Sequence, residues 1–443
     1  MRRAFALLVL CLATAAGGEA PSFRVVTLKG SEACFNYSRS ILAWGTKERK
    51  GRPAGMVVRE GDLLFLPKEM LVPWRPGDGD ELVIAHEGDR LLLGGDVVAL
   101  KLAKDEKKRA AIWRWVEAAD RDTLAKLRCL IIEGMDVGGL PLLRKIAEAN
   151  PIVGLMIDDG VKQPILPMFQ PTWCLVDAVM LADRDLAPDA SLRTTRYLGL
   201  MNPKSANHLD IVARMPALRQ LVIPEWDGER PDRLPDSCRR LRALTLGGDA
   251  PDLGVIAHLA DLEELYIFDG DKLTDIGVLA GLGQLRALSL SHCENLKDLT
   301  ALEALSELRW LGLPPKTTQD QLAEIVACHP KLELLALVDC KAIRDLWPLA
   351  KLSALRALVL VKSEAPLEPL AQMEGLRFLA LDGEYFEKAP VAVQIVEEAL
   401  PEATVVEGGG ICLGSGWVLL LLPALGAAWL AGRLRRRRSA AHG

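Results

Sequence analysis

One pattern recurs along this chain and restricts its fold more than any other feature: leucine, two residues, leucine, one residue, leucine. It appears as Leu241-Leu244-Leu246, Leu262-Leu265-Ile267, Leu285-Leu288-Leu290, Leu308-Leu311-Leu313, Leu332-Leu335-Leu337, Leu355-Leu358-Leu360 and Leu376-Leu379-Leu381. Successive first leucines lie 21, 23, 23, 24, 23 and 21 residues apart. A period held this evenly marks a stack of like units, none of which can bury its leucines alone. Composition agrees, because 50% of the residues are hydrophobic but only 5% are aromatic, as expected where one small aliphatic core unit is reused.

The same frame continues upstream through Leu218-Leu221-Ile223 and Thr195-Leu198-Leu200. It runs more loosely through Val176-Val179-Leu181, Ile152-Leu155-Ile157 and Leu127-Leu130-Ile132. The array is therefore predicted over residues 106–407, with the amphipathic stretch Lys107 to Leu127 as an N-terminal capping helix. At the other end a last helix is predicted over Val391 to Ala399, before a strand at Thr404-Val405-Val406. Ahead of the array, Phe23–Leu28, Asp62–Leu66, Glu81–Ala85 and Asp96–Leu100 read as strands split by glycine-rich turns, a small β-rich domain over residues 21–105.

The unit Leu285-Arg-Ala-Leu-Ser-Leu-Ser-His-Cys293-Glu-Asn-Leu296 resembles a leucine-rich repeat. The tails Asp298-Leu299-Thr-Ala-Leu302 and Asp345-Leu346-Trp-Pro-Leu349 resemble the short class of internalin-like bacterial proteins. Cys328-His-Pro-Lys-Leu332 through Cys340 is similar instead to the cysteine-containing class. The resemblance implies an α/β leucine-rich-repeat solenoid with a parallel β-sheet on its concave face. It also implies a non-catalytic binding role, with a protein or glycan partner on that face.

Both ends read as addresses. Arg2 and Arg3 precede the apolar run Phe5 to Ala16, with small residues at Gly18 and Ala20, so residues 1–20 are a secretory signal and the mature chain starts near Pro21. Residues 408–443 hold Gly408-Gly409-Gly410, Cys412, an apolar stretch from Ile411 to Gly432, and the cluster Arg433 and Arg435 to Arg438. That stretch is long enough to cross a bilayer, with its arginines cytoplasmic. The tail resembles bacterial C-terminal sorting signals of the rhombosortase and myxosortase types, which implies a sorting protease cutting near Gly408 to Cys412; a plain membrane anchor is the alternative. Either way the chain is expected to be exported and held at the cell envelope or cell surface.

Fingerprints of hydrolases, zinc proteases and nucleotide-binding loops are missing, so neither an enzyme nor a cofactor is expected. The formal charge of −5 is spread out apart from the basic tail, and nucleic acid is not an expected partner. Six histidines show no metal-site spacing. Cys293 and Cys340 occupy the same place two units apart, roughly 10 Å by strand spacing, too far for a disulfide. They are expected as buried thiols.

The second position of the unit carries Arg128, Arg196, Arg219, Arg242, Arg286, Arg309, Arg356 and Arg377, interrupted by Glu263 and Glu333. This row is either a basic strip or a solvated edge whose stems cover leucines. The residues that break the small-residue pattern are Trp226, Tyr266, Phe268 and Trp310, with Asp269 and His292 in frame. These six are the candidate partner-binding residues, with local packing beneath the insert from Pro224 to Asp236 as the competing reading. Two other roles are a spacer or envelope scaffold without a ligand, and a targeting arm for an activity in residues 21–105.

Overall fold

The computed structural model describes residues 22–408 apart from 31–33, 38–51, 135–136, 159–160, 162, 202, 204–205, 225–232 and 248–251. The expected secretory signal (1–20), Trp226, Gly409, Gly410, Cys412 and the apolar stretch from Ile411 to Gly432 lie outside these residues. Among the described residues, no helix is long and apolar enough to cross a membrane.

The repeats form a leucine-rich-repeat solenoid. Its strands run from Cys129–Ile132 to Thr404–Gly408 and pair in parallel, each with the next. The middle leucine of every unit falls into one continuous row: Leu265 pairs with Leu288, then Leu311, Leu335, Leu358, Leu379 and Val405. Each leucine of that row is 0% exposed. Burying such a side chain contributes roughly 1.5–3 kcal/mol, and it is buried only when a neighbouring unit is in place.

On the convex side many units return through a short 3-10 turn, and four of these turns are opened by an aspartate. Asp252, Asp275, Asp298 and Asp345 each accept from the backbone N–H two residues on, at 2.7–2.9 Å. This side-chain cap satisfies a donor that the turn leaves free. The 24-residue unit instead returns through a true helix, Gln319–Cys328, capped reciprocally by Thr318 and Gln321.

One early unit lies out of its predicted frame. The strand is Trp173–Asp177, with Cys174 and Val176 facing the core, whereas Val179 and Leu181 belong to the short helix Ala178–Ala182. Val179 is 55% exposed. The spacing misled because Val176 can be read either as the first apolar position of a unit or as the last.

The strands ahead of the array are β1 (Arg24–Lys29), β2 (Phe35–Asn36), β3 (Ala54–Val58), β4 (Leu63–Leu66), β5 (Met70–Pro73), β6 (Glu81–Glu87), β7 (Arg90–Leu93) and β8 (Asp96–Leu102). They form a small β-rich unit. β3 and β1 are antiparallel, β1 is parallel to β6, and β6, β7 and β8 form an antiparallel meander. β8 then pairs in parallel with Cys129–Ile132, so this unit and the repeats share one sheet. β2, β4 and β5 make a second, small antiparallel sheet.

That unit folds back into the hollow of the solenoid. Val26, Leu28, Met56 and Leu82 pack with the concave residues Cys129, Ile131, Trp173, Leu175, Tyr197 and Val222. The other face of the β1–β3 pair, with Phe23, Val25 and Val57, packs on Tyr266, Ala287, Trp310, Leu334, Ala336 and Phe378. Strand alternation sends successive side chains of β1 to these two different cores.

Glycines on the concave face make room for their neighbours. Gly154 lies beside Trp173 on the next strand, and a Cβ there would stand 1.9 Å from the indole. Gly154→Ala is expected to destabilise the protein by about 1–3 kcal/mol through overpacking, read as a lower urea midpoint. An unchanged midpoint would show that Trp173 can shift freely beneath the N-terminal unit.

Candidate functional site

The six candidate residues separate into groups. Tyr266 and Trp310 stand on the concave face, 0% and 2% exposed. They are not open to solvent, because the chain's own N-terminal residues cover them. Phe268, Asp269 and His292 lie just past the strand ends, on the rim, and are half-buried. The rings of Phe268 and His292 are 6.0 Å apart.

Around Trp310 the covering contacts are specific. Phe23 meets the indole edge-on with centroids 5.8 Å apart, and the Arg59 guanidinium sits over its face at 4.9 Å. Arg59 also pairs with Glu264, which accepts from the Tyr266 hydroxyl at 3.2 Å. Trp310 Nε1 donates to Ser22 Oγ at 3.0 Å. Arg52 reaches the last two helices, lying over Phe386 of Gly383–Lys388 and pairing with Glu397 of Pro390–Ala399. Nearer the N-terminus, Arg128 donates to both oxygens of Asp78, at 2.5 and 2.6 Å.

Ser22, Phe23, Arg59, Glu264 and Glu333 are the contact residues that sequence reasoning missed. Glu333 alone left a signal, as an acid breaking the arginine row. The arginines themselves are largely structural. Arg219, Arg356 and Arg377 each donate to carbonyls of the turn just before their own strand, such as Leu218, Leu355 and Leu376 at 2.7, 3.1 and 2.9 Å. An arginine at this position caps the end of the convex turn.

The buried cysteines also behave as structure. Cys340 Sγ lies 3.5 Å from the carbonyls of Pro314 and Val338, so this thiol contacts carbonyl groups. Burial pushes the Cys293 and Cys340 thiols up to about 12, which suppresses the reactive thiolate at neutral pH.

Burial pushes the His292 imidazole down to about 4, against the opposing pull of Asp271. Its neutral form is therefore favoured by folding. The contribution is full above the ordinary histidine pKa near 6.5 and is lost as pH falls from there toward 4. After solvent screening of its exposed edge this amounts to about 1–2 kcal/mol. Urea midpoints of the wild type and His292→Gln are expected to diverge between pH 7 and pH 4.5; parallel curves would show the ring to be solvated.

A groove of about 1060 Å³ opens between the β-rich unit and the helix Glu106–Ala118, with Phe65, Ile112 and Trp115 among its walls. Several of its charges are paired: Lys101 with Glu69 and Glu133 at 3.2 and 2.8 Å, and Arg90 with Glu87 at 2.9 Å.

No protein-family model matches the chain, and no curated protein matches it. Solved structures of similar shape include an internalin of Listeria monocytogenes, 18% identical with a TM-score of 0.40, which covers 64% of this chain and 90% of that one. Internalin C2 of the same organism is 22% identical with a TM-score of 0.30, covering 40% of this chain and 84% of that one. A leucine-rich-repeat protein of Leptospira interrogans is 16% identical with a TM-score of 0.32, covering 64% and 90%. The assignment of the fold rests on the strand registers above.

Proposed function

We propose that this chain is a non-catalytic, exported repeat protein held at the cell envelope, which binds a protein or glycan partner. The leader, the apolar stretch from Ile411 to Gly432 and its arginines support export and anchoring. Gly408 pairs with Asp382 at the end of the last strand, so a sorting protease that spares this pair cuts after Gly408, toward Cys412.

The observation that carries the binding role is the rim pair Phe268 and His292. Of the candidate aromatics among the described residues, these reach solvent, while Tyr266 and Trp310 are covered. A partner surface there draws on Phe268, Asp269 and His292 over a rigid strand ladder, with Trp226 as a further candidate. A partner that needs the concave face itself has to compete with the chain's own N-terminal strands.

The test is cross-linking on intact cells between full-length protein and envelope components, beside Phe268→Ala/His292→Ala. One saturable adduct lost in the double variant is the expected result; an adduct unaffected by it moves the partner site off this rim. The filled concave face favours a second reading, a scaffold without a dedicated ligand, and no saturable adduct from either chain would select it. The groove beside Trp115 is where an activity of residues 21–105 would take its ligand.

A further inference from the structure

The groove beside the helix Glu106–Ala118 is bounded in part by a strained lip, Pro67 to Glu69. Lys68 and Glu69 both hold φ at 62°, and two consecutive non-glycine residues in left-handed backbone persist only where their surroundings fix them. Lys68 Nζ donates to the Gly88 carbonyl at 3.3 Å, and Glu69 accepts from Lys101 at 3.2 Å. The turn between β4 and β5 is thus clasped to the β6–β7 turn and to β8. Strain of this kind gathers at ligand clamps.

The helix gives Lys108, Ala111, Ile112 and Trp115 to the groove, a spacing that sets them on one helical face. Trp115 is half-buried. The Arg90 guanidinium stands over its ring at 5.6 Å and is itself paired with Glu87 at 2.9 Å, which holds the ring in place. Phe35 and Phe65, stacked with centroids 4.4 Å apart, add apolar wall. At about 1060 Å³ the groove reaches the upper end of the roughly 300–1,000 Å³ typical of small-ligand sites.

Its chemistry narrows the ligand. Among the described residues, four basic and four acidic side chains line the groove, so it presents no net charge to an ionic ligand. Lys101, Glu69 and Glu133 form a charged triad in its wall, which an acyl chain would desolvate without compensation. β6, β7 and β8, which supply Glu87, Arg90 and Lys101, have strand neighbours on both sides, so an extended peptide finds no open ladder to join. A sugar chain meets all three conditions, because its rings offer apolar C–H faces to an indole and its hydroxyls both donate and accept. We propose that this groove binds an uncharged, linear oligosaccharide. Trp115 is the stacking platform, and Lys108 and Asp89, which have no ion-pair partner among the described residues, bind hydroxyls. The site is separate from the rim at Phe268 and His292 and does not rest on it.

The test is calorimetric titration of the full chain, in a detergent without a sugar headgroup, with neutral hexasaccharides of β-linked glucose, α-linked glucose, mannose and N-acetylglucosamine. At least one is expected to bind saturably, with a Kd that moves less than ~2-fold between about 50 and 500 mM salt. Trp115→Ala is expected to weaken binding at least ~10-fold, and Trp115→Phe less than ~3-fold. Lys108→Ala and Asp89→Ala are each expected to weaken it ~3–10-fold, the loss of one hydrogen bond. Because Trp115 also packs on the solenoid core, Ala111→Trp fills the groove instead from an exposed helix position. It is expected to abolish binding with an unchanged urea midpoint.

No saturable binding of any of the four hexasaccharides overturns the proposal, and so does binding that survives Ala111→Trp. A groove that takes oleate instead, or only an acidic polysaccharide with affinity falling steeply in salt, overturns the uncharged class. Phe268→Ala/His292→Ala is expected to leave the affinity within ~2-fold, since distant sites act independently. Loss in that variant moves the sugar to the rim, which overturns the groove and leaves the rim reading standing. Should Ala111→Trp lower the urea midpoint, the exposed Lys108→Ala decides, and unchanged affinity there overturns the placement.

Discussion

Trp310→Ala is expected to lower the unfolding free energy by about 3–5 kcal/mol and to loosen the N-terminal strands from the solenoid. The indole is 2% exposed and meets Phe23, Arg59 and Ser22 together. Its loss leaves a cavity on the concave face, and also leaves Phe23 and Arg59 without the surface they pack on. The contact between the β1–β3 pair and the later repeats is made by side chains, so the strand ladder itself does not depend on it. Hydrogen exchange is the decisive measurement: β1 and β3 amides should exchange faster while Ala287–Ser289 and Leu334–Val338 stay protected. Unchanged protection of β1 would show that Trp310 is not what holds the N-terminal strands in place.

Leu311→Ala, one residue along, is expected to cost a similar amount, about 2–5 kcal/mol, with the opposite spatial pattern. Leu311 is 0% exposed and sits in the leucine row between Leu288 and Leu335. In a solenoid each unit is stabilised mainly by its two neighbours. Protection should therefore fall first in the strands Ala287–Ser289 and Leu334–Val338, with broadening of the urea transition as cooperativity along the array weakens. If Leu311→Ala and Trp310→Ala released the same amides, the two faces of the sheet would form one cooperative unit, and the concave contact would be part of the solenoid's core.

Most of the repeat architecture was legible in the sequence, because a period of leucines is a local signal that each unit repeats. The last strand at Thr404–Gly408 lies within two residues of its predicted place, whereas the predicted capping helix Lys107 to Leu127 is split: it ends at Ala118, and Asp120 caps a second short helix, Arg121–Ala125. The unit at Val176 was misplaced, since its apolar residues fit two frames and only pairing with Tyr197–Met201 selects one. In the N-terminal unit β3 was missed for a different reason: all five of its residues are buried, so no alternation of polar and apolar side chains marks it as a strand.

The candidate site was only half legible. Aromatics that break a small-residue pattern do mark a contact surface, and Tyr266 and Trp310 stand on one. What covers them lies in residues 22–59, and no local pattern links those residues to the repeats. The sequence by itself determined a solenoid, its unit length and the burial of its leucine row, because each follows from contacts between neighbouring units. Only the tertiary structure decided that the hollow is filled by the chain's own first strands. That outcome depends on pairs such as Ser22 with Glu333 and Arg59 with Glu264, 311 and 205 residues apart, and no local pattern of residues marks contacts over such separations.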